Sequence, residues 1–550
     1  MIILILLTII VLVLWSLHKR KSKRNLTLLR IEEAWEDVSS KDNSSTDLEV
    51  LREEYKTYIA DKNSIDELTW DDLEMDKIFL KMNFTSSIAG ESYLYELLHK
   101  PHLEEELKER NRVIEILTHS SDLRTKLQYS LSAIGKSCSS SLYDYLLNCE
   151  ELKAPNKWPH IISAIFLISS VVLIYFSRLV GIPLFFIVLI LSVVTYFKDR
   201  ASMESDLPLV RIVGNMLMAA KELSQINDAS LSCYFNKIKF SQKLCKQFKN
   251  TIRAISSGVT TFASDIDVVS DYLRILTHMD ILLYNRYIKK LKASYKELIL
   301  IYQIIGFLDS MVAIAKYRKN QLYFCTPNFT DTLSIVTTDI YHPLINAAVA
   351  NDFTGEKSTL ITGTNASGKS TFLRTLGINA LLAQTIYTVH ATSFETNFYH
   401  IHTSISLKDD LEQHESYYMA EIKALKRIFD SAREGNKVLC LIDEVLKGTN
   451  TLERIAASTE VLKELLEFQV LCIAATHDAE LTKLLDGTYQ NMHFIETITD
   501  NELHFDYKIK DGVCTSGNAI KLLEIMGFSK KLIQNSIDRI QSFKETGGWY

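Results

Sequence analysis

Residues 363–371 read GTNASGKST, preceded by KSTLIT at 357–362 and followed by a helix-patterned segment from 370 to 383. The apolar run reads as a buried strand, so the nine residues join a strand to a helix. That is the context which the pattern G-x-x-x-x-G-K-[ST] needs to act as a phosphate-binding loop. Gly363 and Gly368 let backbone N–H groups turn inward around phosphate oxygens, and the helix N-terminus adds partial positive charge. Thr364, Asn365, Ala366, Ser367 and Thr371 complete the loop. Lys369 is expected to reach the β- and γ-phosphates, and the Ser370 hydroxyl to ligate Mg²⁺. The stretch therefore predicts an α/β P-loop domain that binds a nucleotide.

Two further apolar runs supply what such a site still lacks. Residues 438–444 read VLCLIDE, a strand ending in two carboxylates. Asp443 suits coordination of Mg²⁺, and Glu444 suits polarisation of an attacking water, the general-base task of ATP hydrolysis. Residues 470–478 read VLCIAATHD, a second strand, whose His477 can hydrogen-bond a γ-phosphate or the water. Between the P-loop and the first of these runs, HESYYMAE at 414–421 opens a helix reaching about Arg433. Ser416 stands at a plausible N-cap, where the helix dipole faces an anion. After Glu444, KGTNT at 447–451 forms a polar loop whose Gly448 permits a sharp turn.

The chain has 550 residues, room for about three domains. Its 18 Gly and 7 Pro favour long helices over a turn-rich β fold. A net charge of −6 excludes bulk attraction to nucleic acid, so any such binding needs a local basic face. Eight scattered cysteines with no C-x-x-C pair form neither a zinc site nor a disulfide framework, which fits a reducing compartment.

Three apolar segments point to a membrane. Residues 2–17 are almost wholly Ile, Leu and Val, and Lys19, Arg20, Lys21, Lys23 and Arg24 follow at once. That order is the reverse of a cleaved signal peptide and reads as an anchor with its C-terminal side in the cytoplasm. Residues 161–197 are apolar except for Ser177, Arg178 and a break at Gly181, Ile182 and Pro183. They read as a tight transmembrane hairpin, its two ends flanked by Lys153, Lys157, Lys198 and Arg200 on the cytoplasmic side. A buried helix and a buried core hairpin are the competing readings of these segments. The expected plan is an anchor over 1–24, a helical region over 25–157 and the hairpin over 158–200. A second helical region over 201–330, the α/β domain over 331–518 and a helical tail over 519–550 complete it.

Lys239, Lys243, Lys246 and Arg253 fall near one helix face, and Lys289, Lys290, Lys292 and Lys296 form another basic cluster. Solvated faces, DNA phosphates and anionic headgroups all fit them.

Taken in order, TGTNASGKST, DDLEQHESYYMAEI, LIDEVLKGTN, AATHD and SGNAIKLLEIMGFSKKLIQNSI resemble the ATPase domain of the MutS mismatch-repair family. The approach through Tyr341, His342, Pro343 and Leu344, with Ala350, Asn351 and Asp352, is similar too. Together these stretches cover about 335–543. TWDDLEMDKIFLKMN and GFLDSMVAIAKYRKN more weakly resemble the family's helical core and lever, here interrupted by the hairpin. The resemblance implies a homodimer sandwiching each ATP with Mg²⁺. Ser416 then completes the neighbour's site in trans, Gly448, Thr449 and Asn450 lie at the interface, the tail clamps the dimer, and Asn365 helps position the γ-phosphate or water. There is no room for the family's mismatch-reading domain, no Phe-x-Glu in a base-wedging context, and no nuclease tail. Ala348 stands where an adenine-stacking aromatic would align, and Val445, Leu446 and Lys447 stand where repair members carry a glycine and an arginine.

The expectation is a membrane-anchored MutS-like ATPase with cytoplasmic soluble domains, its coupling to DNA left open. The alternatives are a nucleotide-switched scaffold for membrane or protein partners and, more remotely, an ABC transporter ATPase. The last would need L-S-G-G-Q where this chain has SYYMAE.

Overall fold

The computed structural model describes residues 2–37, 47–136, 140–256, 275–364, 367–405, 417–447, 449–499, 502–514 and 519–546. Two compact units emerge. One comprises 1–60, 82–96 and 112–320; the other comprises 61–81, 97–111 and 321–550.

The first unit is helical. Its most apolar pair is α1 (Lys157–Phe176) and α2 (Arg178–Glu204), packed side by side as a hairpin. The sequence places the turn at Gly181–Pro183, but the chain reverses at Ser177, the one extended residue between the helices (φ −149°, ψ 100°). Pro183 instead lies inside α2, close to its N-terminal end, where a missing N–H removes few intrahelical bonds. Gly181 serves close approach: a Cβ there would stand 2.5 Å from the backbone nitrogen of Ile174. Small residues at such crossings let apolar helices touch.

A buried polar cluster fastens the hairpin to the rest of this unit. His160 lies 2.6 Å from His278 and 2.9 Å from Asp199, and Ser192 lies 2.7 Å from His278. Tyr196 and Arg200 both donate to Asp280. A third long apolar helix, α3 (Tyr295–Lys319), is the core of the unit. The apolar residues 2–17 fall in a helix over Ile2–Glu36, with most of their side chains outside the described residues. Part of the second basic cluster is used internally, since Lys290 donates to Gln247 O and Lys292 to Glu150 O.

The second unit is α/β. A four-stranded sheet is built from β1 (Asn328–Phe329), β2 (Ile335–Ile340), β3 (Asn351–Gly355) and β5 (Ser393–Thr396), in the order β1-β5-β2-β3. A six-stranded sheet contains β4 (Thr359–Thr362), β6 (His400–Ser404), β7 (Val438–Asp443), β8 (Val470–Thr476), β9 (Gln490–Thr499) and β10 (Glu502–Asp511). Its order is β10-β9-β4-β8-β7-β6, parallel throughout except for the β9–β10 hairpin. The continuous apolar runs of β4, β7 and β8 suit strands covered on both faces. Helices α4 (Lys369–Ile386), α5 (Tyr417–Arg433) and α6 (Thr451–Leu465) connect them.

The segment 61–81 belongs to this unit through the edge strand β6. Asp72 accepts from Thr403 Oγ1 at 2.7 Å and from the Ile405 amide at 2.9 Å. Asp66 caps the short helix Glu67–Asp72 and also pairs with His402 and Arg427. Burial raises the proton affinity of Asp66, but His402 and Arg427 outweigh it and hold the carboxyl below its ordinary range.

Candidate nucleotide site

In a parallel sheet, the loops at the carboxyl ends of neighbouring strands converge, and ligands bind there. The register here brings three such ends level, because Thr362 pairs with Thr476 and Asp443 with Ala475. The P-loop leaves β4, the Asp443–Glu444 pair ends β7, and His477 follows β8. Together they line a cavity of about 630 Å³.

Gly363 (φ 150°) and Gly368 (φ 109°) both occupy the left-handed half of backbone space, which side chains disfavour. A Cβ at Gly363 would also stand 2.9 Å from Phe494 O. Lys369 begins α4, and its ammonium donates to the carbonyls of Gly363 and Thr364, each at 2.8 Å. Burial lowers its proton affinity, and Asp443 and Glu444 partly restore it. Ser367 is buried, its hydroxyl has no hydrogen-bond partner among the described residues, and with Gly368, Ser370 and Thr371 it lines the cavity.

Ser370 Oγ donates to Asp443 Oδ2 at 2.5 Å. This pairing of hydroxyl and carboxylate oxygens fits a hard divalent cation such as Mg²⁺, which prefers oxygen donors. Glu444 Oε1 lies 2.9 Å from His477 Nε2, and Oε2 lies 3.5 Å from Lys447 Nζ. Burial raises the proton affinity of Glu444, yet the hydrogen bond to His477 and the Lys447 charge bring it below the usual glutamate value. A base that stays ionised at neutral pH is the result. His477 Nε2 is also 3.4 Å from Lys369 Nζ. Arg454 holds the next residue, Asp478, through two hydrogen bonds of 2.9 and 2.6 Å, which fixes the loop carrying His477.

Of the residues expected from the sequence, Lys369, Ser370, Asp443, Glu444 and His477 come together in one cavity. Asn365, Ala366, Ser416 and Gly448 lie outside the described residues. Within the described residues helix α5 runs over Tyr417–Arg433, and it ends where the sequence pattern ends it.

One side chain escapes the sequence reading, and another figures in it only by its place in a loop. Tyr507 reaches the cavity from β10, where the β9–β10 register shifts between Phe505 and Ile509. Its backbone is left-handed (φ 51°), and Asn351 clamps both sides of the distortion by bonding Tyr507 O at 3.0 Å and Ile509 N at 2.9 Å. A bulge re-aims a side chain, and no periodicity in β10 announces it. Lys447 is the second. Its loop contains two strained positions, Glu444 (φ 65°) and Leu446 (φ 57°), so a leucine holds a backbone shape that glycine adopts freely.

The same domain is similar to known proteins. Residues 359–544 match the model of MutS domain V. The chain is 30% identical over 239 residues to the DNA mismatch repair protein MutS of Thermus thermophilus, covering 42% of this chain and 29% of that protein. It is 31% identical over 289 residues to the mouse MutS protein homolog 4, covering 48% of this chain and 29% of that protein. A Lactobacillus delbrueckii MutS is 28% identical over 285 residues, 49% of this chain and 33% of that protein. The chain thus spans about a third or less of the length of these relatives. The residues that match the domain model include Lys369, Ser370, Asp443, Glu444 and His477 of the cavity.

Proposed function

We propose that this protein is a membrane-anchored, MutS-type ATP hydrolase that works as a homodimer. The observation that carries the proposal is the convergence of Lys369, the Ser370–Asp443 pair and the Glu444–His477 pair at the ends of three adjacent parallel strands. ATP is the substrate. Lys369 binds its β- and γ-phosphates, Glu444 accepts a hydrogen bond from the attacking water, and His477 keeps Glu444 oriented toward it. Ser370 and Asp443 would hold Mg²⁺, which when bound neutralises charge on the β- and γ-oxygens. Tyr507 offers its ring to the base. Ser416 and the loop at Gly448, Thr449 and Asn450 would complete the partner's site across the dimer.

The exposed apolar hairpin supports membrane anchoring, with the ATPase on the cytoplasmic side. The names of the relatives support DNA as a ligand. The distinguishing measurement is duplex binding and ATPase rate against salt. A DNA-coupled enzyme shows a steep linear log–log dependence and DNA-stimulated turnover. Flat responses in both leave a nucleotide-driven scaffold for membrane or protein partners. An enzyme with Glu444→Gln should bind ATP yet turn it over about 10² to 10⁴ times more slowly, as expected for loss of a general base. Normal turnover in that variant would refute the assignment.

A further inference from the structure

The loop after β7 aims an ammonium at the same cavity as the P-loop lysine. The Lys447 backbone is fixed, since its amide donates to the buried carboxylate of Glu421 at 3.1 Å and Leu446 before it is locked in left-handed geometry. The side chain itself is only half-buried, with a flexible four-carbon stem and three rotatable donors. Its one ion-pair partner among the described residues is Glu444 Oε2, while His477 engages the other oxygen. Each oxygen of the general base therefore carries a partner in this arrangement, and the cation on Oε2 makes that oxygen a weaker acceptor for a water proton. Lys447 and Lys369 line one cavity with Asp443 and Glu444, so two carboxylates offset the two ammonium charges there, and the oxygens of a polyphosphate would compete for them.

We propose that Lys447 is a positioning residue that reads the γ-phosphate. It clamps Glu444 by an ion pair until ATP occupies the cavity, then moves its ammonium to a γ-phosphate oxygen and leaves Glu444 Oε2 open to the attacking water. ADP has no γ-oxygen to offer, so the clamp persists with ADP. One ion pair is exchanged for another, with no covalent change. The inference rests on the reading of this cavity as an ATP site.

The test uses the full chain in detergent and compares Lys447→Met and Lys447→Arg with the unsubstituted protein. Affinities are measured for ADP and for a slowly hydrolysed ATP analogue, alongside kcat and KM. Losing one charge-assisted contact to the γ-phosphate should weaken the ATP analogue by roughly tenfold or more in Lys447→Met, with ADP affinity within about twofold. Lys447→Arg should keep the preference for ATP over ADP, because a guanidinium can make both ion pairs. An equal loss for both nucleotides would reduce Lys447 to a structural loop residue, and no change for either would also overturn the proposal. If the unsubstituted protein binds neither nucleotide, and Lys369→Ala changes nothing, the ATP-site reading itself fails instead.

Discussion

The hairpin helices α1 and α2 and the helix α3 are alike in composition, each long and apolar enough to cross a membrane, but their surroundings are opposite. Only 11% and 17% of the apolar windows of α1 and α2 are buried within the protein, against 78% of that of α3. Their polar residues differ accordingly. Thr195 and the buried Ser170 in the hairpin bond carbonyls of their own helices, so these two hydroxyls need no partner from another element. In α3 the carboxylate of Asp309 accepts from the amides of Ser86 and Ser87, and Ser310 donates to Gly90 O. Hydropathy finds apolar helices; burial tells which of them is packed in the core and which leaves its apolar face uncovered.

Charge insertion is the most direct way to break this comparison. Leu308 in α3 is fully buried, so Leu308→Arg should cost more than about 4 kcal/mol and abolish cooperative unfolding of the helical unit, read by circular dichroism. A folded variant with an unchanged melting curve would place α3 in lipid or water instead. The Glu444→Gln enzyme provides the control from the other unit. It should lose 10²–10⁴-fold in turnover while its melting temperature and its membrane partition stay those of the unsubstituted protein. Ile190 in α2 is largely exposed, so Ile190→Arg should leave the fold intact and weaken membrane insertion by about 3 kcal/mol, measured by flotation with neutral vesicles. Equal flotation of both proteins would show that the hairpin is not an anchor.

The smallest effect concerns pH. Asp66 has a folded pKa below its ordinary value of 3.8, so its contribution to stability is fully present above that value. It is lost as pH falls through the lower folded pKa, and Asp66→Asn should remove this acid-side slope at a cost of about 1 kcal/mol at neutral pH. A melting temperature equally acid-sensitive in both proteins would assign the slope to other carboxylates.

The legible and illegible parts of the molecule divide along the same physical line. The P-loop, Asp443–Glu444 and His477 were readable because phosphate chemistry restricts residue type and spacing, and the apolar strands beneath them are continuous. The hairpin was readable as a pair of apolar helices, yet its turn was not. Gly and Pro suggest a break at 181–183, whereas a single extended Ser177 reverses the chain and Gly181 serves packing. Tyr507 stayed hidden because a bulge, not a periodicity, aims it. Lys447 is legible only as a departure from the family's loop, because its pairing with Glu444 depends on the left-handed backbone between them. The attachment of Asp66 and Asp72 to β6 spans more than 300 residues of chain and depends on tertiary pairing alone.

The contact at Gly181 also bears on permeability. Where the ideal Cβ of one hairpin helix would fall 2.5 Å from the backbone of the other, no file of water molecules fits between them at that level. Two helices packed this way enclose no lumen between them where Gly181 meets Ile174. A solute or ion crossing the bilayer with the help of this protein would need a lumen lined by helices from more than one hairpin. Single-channel recordings from the reconstituted protein should accordingly show no conductance attributable to an isolated hairpin.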